Sequence, residues 1–437
     1  MMNNEINTYV ICSTLNQMVN YLPLKVFSKY GSNKIGNQKV DIKTVYYITI
    51  EAESESESDF KRFPNEKWDK SFEKVIENDE KLNHIKIKPV KISRNMSLNI
   101  CDVTDVIKKA IEDDEDKPIL WNITGGQRNL LVGIYRVIEE RKSNRIKNDK
   151  VIYLEGNSNK MMVLEEQGDG NILSSQQYFD KDLRIETALE LAGFDMGKET
   201  SDRSNLLEID FKNEYKKYLC LYEQYKIDDE LRKMFMRLNK KSDDVCFAEI
   251  IEYLKNKEMP KLTEYVEKMK EDFGTNNPFG YILEYMSVAV ILKNINEKPK
   301  LKDYFVDMLH SGNIYFSKNN IYKEYSSKSL FEFDIVLLSK SGQMVIFECK
   351  SGAMSGETAK ARKYSVYAVG GVYGKPIIIT PLLQEQIDNI DCKVEDRGKE
   401  LETIEAAIKS AKRAEMEVWG IDQISVKLEQ LFNEAIE

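Results

Sequence analysis

The spacing of apolar positions divides the first 165 or so residues into strands and helices in turn. Residues 7–14 (Asn-Thr-Tyr-Val-Ile-Cys-Ser-Thr) read as a short buried strand, and Leu15, Val19, Leu22 and Val26 mark one face of a following helix. Thr44–Ile50 is a second strand, and residues 84–92, with Ile85, Ile87, Val90 and Ile92, are a third. A helix at Asp102–Ile111 leads to a compact strand at Ile119–Ile123. A helix over Gly126–Arg141 and a strand at Val151–Leu154 follow, and Met161–Leu164 can pair with that strand as a hairpin. Strand and helix in strict alternation predict an α/β fold with a parallel, doubly wound, Rossmann-like sheet. Residues from about 180 to 270 are charged, poor in glycine and helical in pattern, and the Gly/Asn/Pro cluster Gly274–Gly280 punctuates the chain. Beyond it come an apolar helix at Tyr281–Leu292, a set of strands, a helix at Ala359–Val369 and a strand at Lys375–Thr380. The expected organisation is an α/β domain at 1–175, a helical connector at 176–270 and a second α/β domain at 271–437.

Composition narrows the classes. With 437 residues, 42% hydrophobic and 31% charged, the chain can bury two or three cores. The run Glu51-Ala-Glu-Ser-Glu-Ser-Glu-Ser is acidic and of low complexity, the pattern of a solvated loop. No apolar run approaches the ~18 residues of a membrane span. The start, Met1-Met2-Asn3-Asn4-Glu5, lacks a basic n-region. No membrane partner and a cytoplasmic location are therefore expected. Six cysteines stand singly at 12, 101, 220, 246, 349 and 392, which suggests neither a zinc site nor a disulfide framework. The two histidines, His84 and His310, supply histidine-based mechanisms poorly. A net charge of −9 counts against broad coating of nucleic acid, because affinity comes from neutralised phosphates. It leaves room for a small basic groove, or for a nuclease that must be switched on.

The richest chemistry lies between Phe331 and Lys350. Phe333, Ile335 and Leu337 share one face of a strand, and Asp334 lies on the other. Ser339–Gly342 is a turn, and Met344–Lys350 a second strand on which Glu348 and Lys350 share a face. A hairpin centred on Ser341 sets Asp334 opposite Glu348, and such neighbours are ~5 Å apart, close enough to share one divalent ion. Oxygen donors without histidine favour Mg²⁺ or Mn²⁺. That ion would polarise a phosphodiester oxygen and acidify a bound water, and Lys350 could orient or deprotonate the water. The short D/E-x-K string alone says little, since Asp41-Ile-Lys43 and Asp210-Phe-Lys212 also match it. A structural salt bridge among the three side chains is the plainer alternative.

The full arrangement is acid, apolar hairpin, acid-x-lysine, Ser351-Gly352 and then a helix. It resembles the PD-(D/E)XK nuclease superfamily, the restriction-endonuclease-like fold. The resemblance implies a catalytic set of Asp334, Glu348 and Lys350. It also implies a supporting acid on the first core helix, matched by Glu284 in Tyr-Ile-Leu-Glu-Tyr. Metal would then fall to Asp334, Glu348 and Glu284. Phe333 stands where the superfamily's variable proline would be. After the hairpin, Lys360, Arg362, Lys363 and Tyr364 lie on one helix, and Lys363 and Tyr364 are candidates to hold nucleic acid by charge and stacking. A solvated helix face would look the same.

Two further loops follow predicted strands, at Cys12–Gln17 and at Trp121–Asn129. Ligands of open α/β sheets bind outside the strand ends. Ser13, Thr14 and Gln17 in the first loop and Thr124, Gln127 and Asn129 in the second offer hydrogen bonds. Gly125 and Gly126 admit close backbone approach, and Arg128 can fork to phosphate. The sequence is neither GxGxxG nor a Walker A loop, and glycine used for turn geometry alone would look alike. Polar residues after the first strand and Asn-x-Thr-Gly-Gly after the fourth resemble a CARF domain, the cyclic-oligoadenylate sensor of type III CRISPR defence. Joined to the nuclease-like half, the chain resembles the CARF-nuclease effectors over roughly 1–170 and 271–437. That resemblance implies a homodimer allosterically activated by a cyclic oligoadenylate, usually cyclic tetra-adenylate. It implies cleavage of single-stranded RNA or DNA, or nicking of a duplex. An ungated restriction or repair endonuclease and a catalytically silent nucleotide-sensing protein remain alternatives.

Overall fold

The structure, a computed structural model, describes residues 5–29, 34–51, 66–143, 148–155, 160–167, 170–177, 180–197, 205–208, 215–238, 243–273, 278–316, 329–390 and 399–436. Most of the acidic run after Glu51 and residues 274–277 of the expected boundary lie outside them. The chain divides into two compact units, the first over Met1–Met196 and the second holding most of the chain from Gly197 onward.

The first unit is built on strands β1 (Ile6–Cys12), β2 (Lys34–Ile35), β3 (Gln38–Ile50), β4 (Lys86–Ile92), β5 (Ile119–Asn122), β6 (Lys150–Leu154), β7 (Lys160–Gln167) and β8 (Gly170–Gln177). Its parallel centre runs β4-β3-β1-β5-β6, as the alternation of strand and helix predicts. The alternation is not strict. β7 and β8 extend the edge antiparallel, because a hairpin needs no crossover helix. The chain winds from β1 outward through β3 to β4, then returns to lay β5 on the other side of β1. The gap between β1 and β5 is thus the point where the winding reverses, and it is here that ligands bind in open sheets. The expected first helix begins late, at Met18, so Leu15 is not on its apolar face but exposed in the preceding loop. Helices Ile100–Ala110 and Arg128–Ser143 cover one face, closing on a core that includes Trp121 and Ile134. They can approach closely because Gly133 has no Cβ: one built there would lie 2.4 Å from Val103 Cγ1. A short strand, β9 (Phe194–Met196), comes later in the chain and is no part of this sheet.

In the second unit, helices Lys216–Ile227, Asp229–Arg237, Asp243–Asn256 and Pro260–Phe273 share one hydrophobic core with the C-terminal strands. The stretch expected as a connector is therefore built into this unit's core. At its centre runs helix Pro278–Glu297, apolar on all sides and buried accordingly. The sheet includes β10 (Phe305–Phe316), β11 (Phe331–Ser339), β12 (Met344–Cys349), β13 (Lys375–Thr380) and β14 (Glu417–Gly420). β10, β11 and β12 are antiparallel neighbours, and β12, β13 and β14 are parallel. β12 is buried along its whole length, so its sequence runs apolar rather than alternating until Glu348 interrupts it. No helix among the described residues is long and apolar enough to cross a membrane. Phe347 packs edge-on against Trp419 at 5.3 Å between ring centres, and both are fully buried. Phe347→Ala is expected to cost about 3–5 kcal/mol by emptying this contact, read as a drop in the denaturation midpoint; a loss under 1 kcal/mol would contradict the packing.

Candidate active site and ligand crevice

The hairpin of β11 and β12 has the register that a turn centred on Ser341 predicts. Ile335 faces Phe347, Val336 faces Ile346, Leu337 faces Val345 and Leu338 faces Met344, all symmetric about Ser341. The tip closes through Ser339 N–H to Gln343 O at 2.9 Å and Gln343 N–H to Ser339 Oγ at 3.0 Å. Carried one step further, this register sets Asp334 against Glu348. The Asp334 carboxylate accepts the Cys349 N–H at 2.6 Å. Glu348 is buried, and its Oε1 lies 2.6 Å from Lys350 Nζ and 3.2 Å from Arg362 Nε. Glu284 reaches the same region from the buried central helix. Its Oε1 is 3.0 Å from His310 Nε2, and His310 Nδ1 lies 3.3 Å from the Tyr215 hydroxyl.

The electrostatics follow from three carboxyl groups sharing apolar surroundings. Burial first, then the charges of Glu348 and Glu284, hold the Asp334 carboxyl well above the usual carboxylate range, against the pull of Lys350 and the Cys349 amide. For Lys350, burial would depress the ammonium, but Glu348 and Asp334 outweigh it and raise the group. Asp334, Glu348, Lys350 and Glu284 are thus brought together. Lys363 and Tyr364 are not: Lys363 Nζ pairs with Glu415 at 2.8 Å, and Tyr364 is 70% exposed. The helix Gly356–Gly370 sends Arg362 to Glu348 instead. His310 and Arg362 are the residues the sequence concealed. His310 occupies a buried strand position opposite Ile335, where a histidine reads as core, and Arg362 differs from Lys363 only by one step of helical phase.

Among the described residues no three His, Cys, Asp or Glu side chains already converge as a metal cage. The donor set still suits a divalent cation. Asp334 and Glu348 offer hard oxygens, and Mg²⁺ commonly takes one or two carboxylates and keeps several waters. The charge crowding that raises Asp334 is what such a cation would relieve.

The crevice between β1 and β5 is a separate site. Thr14, Thr124, Gly125 and Gly126 are half-buried along it, and Gln127 and Arg128 are exposed at the head of helix Arg128–Ser143. Asn122 organises the second loop, accepting from Thr124 N–H at 2.9 Å and Thr124 Oγ1 at 2.6 Å, while its amide donates to Tyr9 Oη at 2.8 Å and Val19 O at 2.9 Å. Thr124 Oγ1 in turn accepts the Leu154 N–H at 2.8 Å. Beneath the first loop, Gln17 is wholly buried, donating to Tyr47 Oη and accepting from Asn20 Nδ2 at 2.8 Å. Ser13 donates to Asp69 at 2.5 Å, and Asn129 to the Ser97 carbonyl. Ser13, Gln17 and Asn129 therefore hold the loops in place. The glycines are required by geometry: Gly126 has φ +123°, and a Cβ there would lie 2.5 Å from Cys12 Cβ, while one on Gly125 would lie 2.9 Å from Thr14 Cγ2.

No family profile and no characterised protein matches the chain by sequence. Its fold is nonetheless known. It is similar to VC1899 from Vibrio cholerae, with a TM-score of 0.58 and 13% identity over 99% of both chains. It is also similar to Can2 from Sulfobacillus thermosulfidooxidans, solved in complex with cyclic tetra-adenylate, with a TM-score of 0.57 and 13% identity over 98% of this chain and 95% of that one. The mixed α/β architecture is shared with both along nearly its whole length.

Two outcomes are expected. Because the Asp334 pKa is raised, its linked stability is present below about pH 4 and is lost as pH rises toward the elevated value. In EDTA, Asp334→Asn should lose less Tm between pH 5 and pH 8 than the unaltered protein; an equal loss would contradict the crowding. Gly126→Ala should lower Tm, since both its φ and its Cβ are disallowed. Gly352→Ala, with open space around it, should not; equal melting of the two variants would remove the geometric role of Gly126.

Proposed function

We propose that this protein is a metal-dependent nuclease of type III CRISPR antiviral defence, activated by a cyclic oligoadenylate, most simply cyclic tetra-adenylate. The observation that carries it is the set of buried Glu348 with half-buried Asp334 and Lys350 on one hairpin, with buried Glu284 beside it. The full-length likeness in fold to Can2, whose structure holds cyclic tetra-adenylate, supports the gate. Asp334 and Glu348, with Glu284 in support, would hold Mg²⁺ or Mn²⁺. Such an ion supplies Lewis-acid stabilisation of the phosphate and a more acidic water.

The chain's own residues do the rest. Lys350 orients the attacking water and balances charge on the phosphate, and Arg362 is a second cation for the same purpose. His310 and Tyr215 fix the Glu284 carboxylate. In the crevice, Thr14, Thr124, Gly125, Gly126 and Gln127 contact the activator, with Arg128 for its phosphates and Ser13, Gln17 and Asn129 as positioning residues. A cyclic ligand with rotational symmetry suits a crevice duplicated across a two-fold axis, so the active species is a homodimer. The net charge of −9 keeps ungated affinity for RNA or DNA low.

The test is incubation of purified protein with labelled single-stranded RNA, single-stranded DNA and duplex DNA, with Mn²⁺ and a panel of cyclic oligoadenylates. Ligand-stimulated cleavage is expected. Glu348→Ala should lower it roughly 10³-fold, since metal stabilisation of transition-state charge is worth several kcal/mol. Cleavage equal with and without ligand would establish an ungated endonuclease instead. No cleavage under any condition, with Glu348→Ala indistinguishable from the unaltered chain, would leave only a sensor.

A further inference from the structure

Beside the carboxylates the second unit opens into a cavity of ≈ 420 Å³ that the chemistry above does not use. Three helices and strand β10, all outside the catalytic hairpin, line it. The central helix supplies Tyr281, Glu284 and Tyr285, which are three and four residues apart and so share one face. Helix Lys216–Ile227 supplies Lys217 and Tyr218, and the end of helix Pro260–Phe273 supplies Asp272 and Phe273. Glu284 therefore belongs to both the cavity wall and the carboxylate cluster.

The lining is rich in aromatic rings. Phe273 and Tyr281 lie parallel, with planes 6° apart and ring centres 5.7 Å apart. Behind them Tyr218 and Tyr285 are 4.6 Å apart. Tyr281 is 49% exposed although it stacks on Phe273, so part of its ring remains accessible. The polar groups do not suit an anion. Lys217 is already neutralised by Asp272 at 2.5 Å and covers the Tyr218 ring at 5.1 Å, while Glu284 and Asp272 would repel a phosphate. What remains is an aromatic-lined cavity that suits an uncharged ring. Ser311, on the wall, carries a left-handed backbone at φ +54°, an uncommon conformation for a non-glycine residue.

We propose that this cavity binds one unpaired nucleobase of the substrate strand next to the scissile phosphate. This rests on the nuclease function proposed above, and it narrows the substrate to single-stranded nucleic acid or an unpaired stretch. A base within a duplex is stacked on both faces and must be flipped out before it could enter.

The test uses the full chain carrying Glu348→Ala, so that substrate is not consumed, and a single-stranded oligonucleotide containing 2-aminopurine, with and without cyclic tetra-adenylate. Stacking in the cavity should quench the fluorescence. Adding Tyr281→Ala should remove the quench and weaken binding on the order of tenfold or more, while Tyr281→Trp should restore both. Tyr281 is exposed, so these variants should fold, and an unchanged Tm will confirm it. Unchanged quench and affinity in Tyr281→Ala, absence of any binding, or equal competition by a fully paired duplex would each overturn the proposal. A quench that depends on Tyr281 in a protein that cleaves nothing would uphold the pocket and sink the nuclease function instead.

Discussion

Buried Glu284 and Glu348 and half-buried Asp334 come from one helix and two strands of the second unit, and the charges of Glu284 and Glu348 both bear on Asp334. Like charges in low dielectric repel strongly, and desolvation penalises each of them further. The fold answers with Lys350 and Arg362 on Glu348, His310 on Glu284 and the Cys349 amide on Asp334. The answer is incomplete, because Asp334 is still held well above its ordinary range. Much of the surrounding architecture serves this concentration of charge. The central helix is apolar on every side, which anchors Glu284; β12 is buried throughout, which fixes Glu348; and Trp419 and Phe347 lock the sheet beneath. Strain kept at such a site is characteristic of function rather than of stability.

The crevice in the first unit is built on the opposite principle. It carries little charge of its own beyond Arg128, and its precision comes from backbone. Asn122 ties the second loop to β1's helix and to Thr124, while Gln17, Tyr47, Asn20 and Asp69 brace the first loop from below. Gly125 and Gly126 let the two loops touch. Such a surface offers backbone and hydroxyl groups to a ligand without reorganising, the condition for binding energy to be available for a conformational shift.

Much of this was legible in the sequence, and what was not has physical causes. A short polar turn centred on Ser341 sets the hairpin's register, so Asp334, Glu348 and Lys350 could be placed on paired strands without coordinates. Glu284 stood out as an acid within an apolar helix. The Asn122–Asn129 segment announced itself by glycine and hydroxyl content at a strand end, and the reversal of winding between β1 and β5 accounts for its position. His310 was hidden because one histidine in an apolar strand looks like core. Arg362 was hidden behind Lys363 because helix Gly356–Gly370 carries basic residues on adjacent positions and no strong apolar face to set its phase. Leu15 misled because apolar character alone cannot distinguish a helix's first turn from the loop before it. The braces Asp69 and Tyr47 come from distant segments, and only tertiary structure joins them to Ser13 and Gln17.

The central claim is that the carboxylate cluster is completed by a divalent cation. The most direct measurement is the melting temperature of the protein as Mn²⁺ is titrated in, at constant ionic strength, beside Glu348→Ala and Asp334→Asn. A ligand that binds only the folded state raises stability in proportion to the logarithm of its concentration above Kd. A saturable rise in Tm is expected for the unaltered chain and should be lost in both variants. A Tm indifferent to Mn²⁺, or a rise that survives both substitutions, would contradict the account.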